Sequence, residues 1–377
     1  MKTVTDDELI AALREHGSHT RAALALGIDR RSVDRRAQRL AAKGYSPQHD
    51  MTHTVPDGFK VKGVSTMYRE DGTVAAQWVK SAQDVERQRE MLEAAFAGFA
   101  ETLPRVKPAK APAHCRADLL NCFVVTDYHL GMLAWGEETR GDPWDLAIAE
   151  RLLVDWFAEA IRQAPKAGTA VLAQLGDFLH FDGLDAVTPE HRNLLDADTR
   201  FQKVVRCAIR ALRRVVDMLL AHHEKVIVIM AEGNHDPASS IWLREWFAAL
   251  YADEPRVTVD TSPDPYYCVE FGKTSLFFHH GHKRKPSNIA EVFAAKFREV
   301  LGRTKFSYAH MGHMHHSEAK ENALMIVEQH QTLAAADAYA SRGGWLSQRS
   351  AKVICYSKTY GEVGRVVVTP GMVKEAA

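Results

Sequence analysis

No stretch of this chain approaches the ~20 consecutive apolar residues of a membrane-spanning helix, so no membrane partner is expected. The first residues, Met1-Lys2-Thr3-Val4-Thr5-Asp6-Asp7, are polar and hold no apolar signal core. Cysteine is sparse. The five residues Cys115, Cys122, Cys207, Cys268 and Cys355 include no close pair, which fits reduced thiols in a cytosol-like compartment. Excess charge of either sign is lacking too, because 48 Lys and Arg balance 48 Asp and Glu. Whole-chain charge therefore predicts no polyanion partner, and any nucleic-acid contact must come from local patches. There is no internal repeat and no low-complexity tract. What remains is 377 residues, 46% hydrophobic and 25% charged, a soluble composition with room for more than one core.

The chain divides into four parts. Residues 1–50 read as three short helices. The first starts at Asp6-Asp7-Glu8 and stops near Gly17. The second can be capped by Ser18 or Thr20 and ends at Gly27. The third is opened by Asp29 and runs over 30–43. Two helices around a tight Gly-containing turn are the layout of a helix-turn-helix. Residues 51–102 read as a hairpin over 58–80, turning at Asp71-Gly72, followed by an amphipathic helix over 81–102 that could mediate self-association into a homodimer. A Pro-rich basic linker covers 103–114. From 115 to 377 short apolar runs alternate with helical stretches over 145–163 and 199–222. The runs are Phe123-Val124-Val125, Val171-Leu172-Ala173, 226–230, Leu276-Phe277-Phe278 and Val366-Val367-Val368. Such alternation predicts an α/β sheet covered by helices.

Five clusters carry metal-ligand side chains: Asp127-Tyr128-His129, Gly176-Asp177, Gly233-Asn234-His235-Asp236, His280-Gly281-His282 and Gly312-His313-Met314-His315. Each singly has an ordinary explanation as a turn or a surface histidine. Together, each after an expected strand, they predict a site at the carboxyl ends of a sheet. Mixed carboxylate, imidazole and amide donors suit two divalent ions, Mn²⁺ first, with Fe²⁺ or Zn²⁺ as alternatives. Two such ions ~4 Å apart can hydrolyse phosphate esters.

In this order the clusters resemble the calcineurin-like metallophosphoesterase superfamily, over about two-thirds of the chain. The resemblance implies a four-layer α/β/β/α sandwich. It implies that Asp127, His129 and His315 hold one metal, that Asn234, His280 and His313 hold the other, and that Asp177 bridges them. His235 would face the substrate phosphate as general acid, a role suited to imidazole near neutral pH. Asp127-Tyr128-His129-Leu130-Gly131 and Gly176-Asp177-Phe178-Leu179-His180 are similar to motifs of SbcD-like nucleases. The Asp-Arg-Gly triplet of the superfamily's protein phosphatases is replaced here by His180-Phe181-Asp182. His180 would orient His235 or contact phosphate, against the plainer reading of a packed histidine.

His282, Lys283, Arg284 and Lys285 are candidate substrate-binding residues, able to hold a polyanion beside the metals or simply to form a solvated loop. Trp135, Trp144 and Trp156 could stack on bases, with core positions the stronger expectation. In the third helix Arg30, Arg31, Arg35, Arg36 and Arg39 could reach DNA, opposite a buried stripe of Val33, Ala37 and Leu40. Its arrangement ahead of a phosphoesterase resembles phage proteins, which implies DNA as partner and a cytoplasmic location, the host's if phage-encoded. The reading is a two-metal phosphodiesterase, a DNA nuclease first. The alternatives are a phosphoesterase for nucleotides or other small substrates, and a DNA-binding regulator with a phosphoesterase scaffold.

Overall fold

The computed structural model describes residues 4–42, 59–68, 74–85, 106–113 and 115–374. It divides at Leu103/Pro104 into two units. The Asp71-Gly72 turn lies outside the described residues, as does most of the helix expected over 81–102.

In the first unit, α1 (Asp6–His16) is opened by a capping box in which Thr5 and Glu8 satisfy each other's backbone N–H. Gly17 closes it at φ 58°. Next come α2 (His19–Leu26) and α3 (Arg30–Ala42). Leu9, Leu13, Ala22, Ala23, Val33 and Leu40 form the core that the apolar stripe predicts. Strands β1 (Phe59–Tyr68) and β2 (Val74–Gln83) pair antiparallel as expected. Residues 81–83 continue β2 and do not begin a helix. Their pairing with Val61, Lys60 and Phe59 supplies the ladder hydrogen bonds.

The second unit runs in the order β3 (Arg116–Val125), α4 (Gly136–Thr139), α5 (Leu146–Gln163), β4 (Ala167–Gln174), α6 (Phe201–His222), β5 (Lys225–Met230), α7 (Pro237–Leu250), β6 (Val257–Val259), β7 (Tyr267–Phe271) and β8 (Thr274–His279). It continues with α8 (Ile289–Lys296), α9 (Arg298–Arg303), β9 (Phe306–Met311), β10 (Glu318–Glu321), β11 (Ile326–Gln329), α10 (Ala338–Gly343), β12 (Ala351–Ser357), β13 (Gly361–Val368) and α11 (Pro370–Lys374). Six strands form one sheet, ordered β13-β12-β3-β4-β5-β6, and five form a second, ordered β10-β11-β9-β8-β7. β3, β4, β5 and β6 run parallel, as do β8, β9 and β11.

The period of two along each strand assigns the layers. Leu120, Cys122 and Val124 of β3 pack with Tyr267, Leu276 and Phe278 of the second sheet in one buried cluster. Between them, Phe123 turns outward to stack on Phe157 of α5 at 5.7 Å. On the other sheet Phe277 turns outward to Phe293 of α8 at 5.0 Å. The result is helix, sheet, sheet, helix, the expected four layers. Each fully buried aliphatic or aromatic side chain in these interfaces contributes about 1.5–3 kcal/mol. The linker's described end is fastened to this unit, through Val106 N to Leu250 O (3.2 Å) and Ala109 N to the Glu254 carboxylate (2.8 Å). Among the described residues no helix is long and apolar enough to cross a membrane.

Candidate metal centre

Register brings the five clusters to one level. Val125 at the end of β3 pairs with Gln174 at the end of β4, and Gln174 pairs with Met230 at the end of β5. In the second sheet His279 at the end of β8 pairs with Met311 at the end of β9. The loops that follow bond to one another. Asp127 N donates to Gly176 O (3.1 Å), His129 N to Asp177 O (3.0 Å) and Gly312 N to His280 O (2.7 Å). Across the two sheets His313 N donates to Asp127 Oδ2 at 2.8 Å.

The turns are tight enough to dictate glycine. A Cβ on Gly233 would lie 1.9 Å from Asp177 Oδ1, and one on Gly312 would lie 1.8 Å from Thr126 Oγ1. Asp127, His129, Asp177, His313 and His315 all have left-handed φ, between 48° and 76°. Only two other non-glycine residues do so among the described residues, Arg140 and Arg192. Left-handed backbone is uncommon outside glycine, and its concentration here marks a functional constraint.

The side chains form two groups. Asp127, His129 and His315 point donor atoms at one spot, and Asp177, His280 and His313 at another. His315 Nε2 lies 3.1 Å from Asp127 Oδ1 and 3.5 Å from His129 Nε2. His280 Nε2 lies 3.1 Å from both Asp177 Oδ2 and Asn234 Oδ1, while its Nδ1 donates to Leu175 O at 2.8 Å. That last bond fixes the ring and leaves Nε2 for the site. Asp127 Oδ1 is buried and accepts no hydrogen bond. Carboxylate oxygens, imidazole nitrogens and an amide oxygen that converge from several loops within a few ångströms are what a shared cation requires, so this donor set fits two divalent ions.

Electrostatics agree. Burial, reinforced by His235 and His180, holds the His129 imidazole well below its ordinary value, and burial lowers His313 too. Both are therefore in the neutral form that binds metal. Burial alone would lower His280, but Asp177 and Asp127 raise it to about 9. A cation beside those carboxylates would displace that proton.

His235 and His180 stand beside the first group. His235 Nδ1 donates to His180 O at 2.8 Å, and its ring lies 4.7 Å from that of His129. His235 N also donates to Asp177 Oδ1 at 2.8 Å. His180 is buried with its Nδ1 3.3 Å from His129 Nδ1, so it braces a candidate ligand as well as His235. Asp236 stood in the third cluster without a role. Its two oxygens accept from the backbone N–H of Asp177, Phe178, Leu179 and Gly233, at 3.1, 2.7, 3.0 and 3.1 Å. Burial and the nearby Asp177 charge push its carboxyl up, and those donors oppose the rise. It clasps the β4 loop to the β5 loop. Asp182 does the same for α7, accepting from Ala238 N and Ser239 N at 2.7 Å each.

His282 borders the second group, its ring 5.3 Å from His280. Lys283, Arg284 and Lys285 are exposed on the same loop, and Lys283 pairs with Glu190 at 3.3 Å. Trp144 and Trp156 are core residues with bonded indole N–H groups, whereas Trp135 is exposed. In the first unit Arg30, Arg31, Arg35 and Arg39 are exposed on α3. Arg36 differs from its expectation. It turns inward to bond Asp6 and Val4 O, tying α3 to the start of α1.

No family model matches the chain, and no curated protein matches it. Solved structures of similar fold include a Streptococcus pneumoniae TIGR4 protein described as a predicted phosphoesterase. It is 10% identical, with a TM-score of 0.32, over 68% of this chain and 92% of that one. A second is an archaeal phosphodiesterase, 14% identical, TM-score 0.32, over 66% and 99%. A third is Vps29 with Zn²⁺ from Entamoeba histolytica, 12% identical, TM-score 0.26, over 66% and 99%.

Proposed function

We propose that the second unit is a two-metal phosphodiesterase and that DNA is its substrate. The observation that carries this reading is the convergence of five strand ends, from two sheets, on two donor groups that meet at Asp127 and Asp177. Asp127, His129 and His315 would hold one ion, Asn234, His280 and His313 the other, with Asp177 shared. Bound Mn²⁺, Fe²⁺ or Zn²⁺ would acidify a water and offset charge on phosphoryl oxygens. The chain's own residues do the rest. His235, fixed through Nδ1 by His180 O, keeps Nε2 to protonate the leaving oxygen. Asp236 and Asp182 hold the loops that aim it.

Two features favour DNA over small phosphoesters. The loop His282-Lys283-Arg284-Lys285 sets exposed cations directly after β8, beside the second group. In the first unit α2 and α3 are separated by Gly27-Ile28-Asp29, with Gly27 at φ 66°, and α3 exposes Arg31, Arg35 and Arg39. Two short helices around such a turn, the second of them basic, support the helix-turn-helix reading.

The test uses the full chain loaded with Mn²⁺, given labelled DNA beside methyl 4-nitrophenyl phosphate. About two ions per chain and cleavage of both substrates are expected. Asp177→Asn removes most activity and at least one ion. His235→Ala keeps both ions and loses roughly 10²–10⁴-fold in turnover. Activity that survives chelation, or protein that binds no divalent metal, refutes the reading.

A further inference from the structure

The segment between Thr332, whose hydroxyl bonds Asp127 O, and Arg349 carries large apolar side chains that the core does not use, as does Trp135 on the loop to which it is bonded. Tyr339 is 72% exposed, Trp345 59% and Trp135 61%. Tyr339 and Trp345 are held together, ring centroids 4.9 Å apart. Their posture is built. Trp345 N donates to Ala340 O at 3.0 Å across the left-handed Gly344, and the indole lies on Gly343, where even a Cβ would meet it at 2.9 Å. One indole face is therefore backed by main chain, which limits the entropy lost when a ligand stacks on the pair.

The segment is anchored to the metal centre by short links. Thr332 Oγ1 donates to Asp127 O at 2.6 Å. Arg349 donates to Leu333 O, pairs with Asp142 at 2.5 Å and covers the Trp144 ring at 5.3 Å. Trp144 Nε1 in turn contacts His129 O at 3.4 Å. Across the rim, Arg342 pairs with Glu138 at 2.6 Å and Ser341 Oγ reaches Thr139 O at 3.4 Å, next to Trp135. The cations of this segment are thus spent on Asp142 and Glu138. What residues 338–345 add to this surface is an exposed aromatic pair.

From this we infer that Tyr339 and Trp345, with Trp135 nearby, are a stacking platform for unpaired nucleobases of the strand being hydrolysed. The inference rests on the phosphodiesterase reading and narrows its substrate to single-stranded or frayed nucleic acid. Bases inside a duplex are stacked on one another and cannot lie on these rings, whereas an unpaired base has a free π-face. Phosphate would be read at the metal centre and the flanking base on the rim.

The experiment compares full-length wild type, Tyr339→Ala/Trp345→Ala and Trp345→Phe. The substrates are a single-stranded oligonucleotide, its blunt duplex and methyl 4-nitrophenyl phosphate. Wild type should prefer the single strand. In the double variant the ratio of kcat/KM for single strand to kcat/KM for the small diester should fall about tenfold or more, mainly through KM, as expected for one or two lost stacking contacts. Trp345→Phe should recover much of it. A second arm, free of chemistry, measures quenching of tryptophan fluorescence by the oligonucleotide in chelator, with Tyr339→Ala and Trp345→Phe weakening binding in turn. An unchanged ratio, an equal loss on every substrate, or wild-type preference for duplex overturns the platform. If wild type cleaves none of the three, the phosphodiesterase reading fails, and the quenching arm alone decides whether the rim binds bases.

Discussion

Asp236 offers the sharpest test of how the loops are held. Asp236→Asn keeps shape and volume but exchanges one acceptor oxygen for an NH₂ donor. In the native structure Oδ2 accepts from Phe178 N and Leu179 N, and Oδ1 from Asp177 N and Gly233 N. Whichever way the amide turns, two buried N–H groups lose their acceptor and face a donor. Each unsatisfied buried group costs about 1–3 kcal/mol, so the expected loss is on the order of 2–6 kcal/mol. That is a large part of the ~5–15 kcal/mol by which a domain is stable, without necessarily unfolding it. Because Asp177 is one of the clasped residues, its carboxylate should move and metal content should fall below that of wild type. Urea unfolding at pH 7 gives the stability change, and elemental analysis after gel filtration gives the metal. A variant within about 0.5 kcal/mol of wild type that keeps its ions would show that Asp236 is not what holds the β4 and β5 loops together.

Three other outcomes follow from particular contacts. Gly233→Ala must push the Asp177 carboxylate aside, so metal binding and activity should collapse. Gly302→Ala, where nothing lies within 4 Å, should be neutral or stabilise by up to ~1 kcal/mol; equal metal content in both would refute the steric account. Burial lowers the His223 imidazole to about 4, its Nδ1 donating to Leu219 O and its Nε2 accepting from Asn121. A depressed histidine contributes stability that is present above ~6.5 and lost as pH falls toward 4, here up to about 3 kcal/mol. His223→Gln should flatten that part of the urea-measured pH profile, and an unchanged slope would count against it. On α3, Arg31→Gln/Arg35→Gln/Arg39→Gln should weaken DNA binding and reduce its salt slope while leaving helicity intact. Arg36→Gln should instead loosen the three-helix unit, because its partners are Asp6 and Val4 O. Gel shifts at two salt concentrations and thermal melts separate the two effects.

The parts of the fold that were legible in sequence are those where a single demand acts on each residue. β3, β4, β5 and β8 are buried on both faces, so they read as plain apolar runs. Metal chemistry admits few side chains, so the clusters at their ends stood out as well. β9, β11 and β12 were not legible, for a physical reason. Their inward faces carry His310, Glu328, Lys352 and Tyr356, a buried network in which Lys352 and Arg365 bond Glu328 at 2.6 and 3.1 Å. Tyr356 OH meets His310 Nε2 at 3.0 Å. Polar groups that satisfy one another inside a sandwich interrupt the apolar pattern on which strand reading depends. Nor could spacing say that Arg36 faces Asp6 while Arg35 faces solvent, since both lie on one basic helix and the choice is made by α1.

The same distinction separates the two groups of buried histidines and carboxylates. His310, Glu328 and His330 lie close enough to one another to hold an ion, as the residues at the strand ends do. Burial lowers the His310 imidazole to about 4 and holds that of His330 well below its ordinary value, so both are neutral. Burial would raise Glu328, yet the charges and bonds around it hold its carboxyl at about 2. Lys352 and Arg365 already bond Glu328 at 2.6 and 3.1 Å, which leaves no net negative charge there for a metal. At the strand ends no lysine or arginine is paired with Asp127 or Asp177 among the described residues; their close partners are imidazoles. The backbone differs as well, left-handed at five of the candidate ligands and in regular strand at His310 and Glu328. Of these two groups, the one at the strand ends combines strained main chain with carboxylates that lack a permanent cation, and there a bound metal would supply the missing charge.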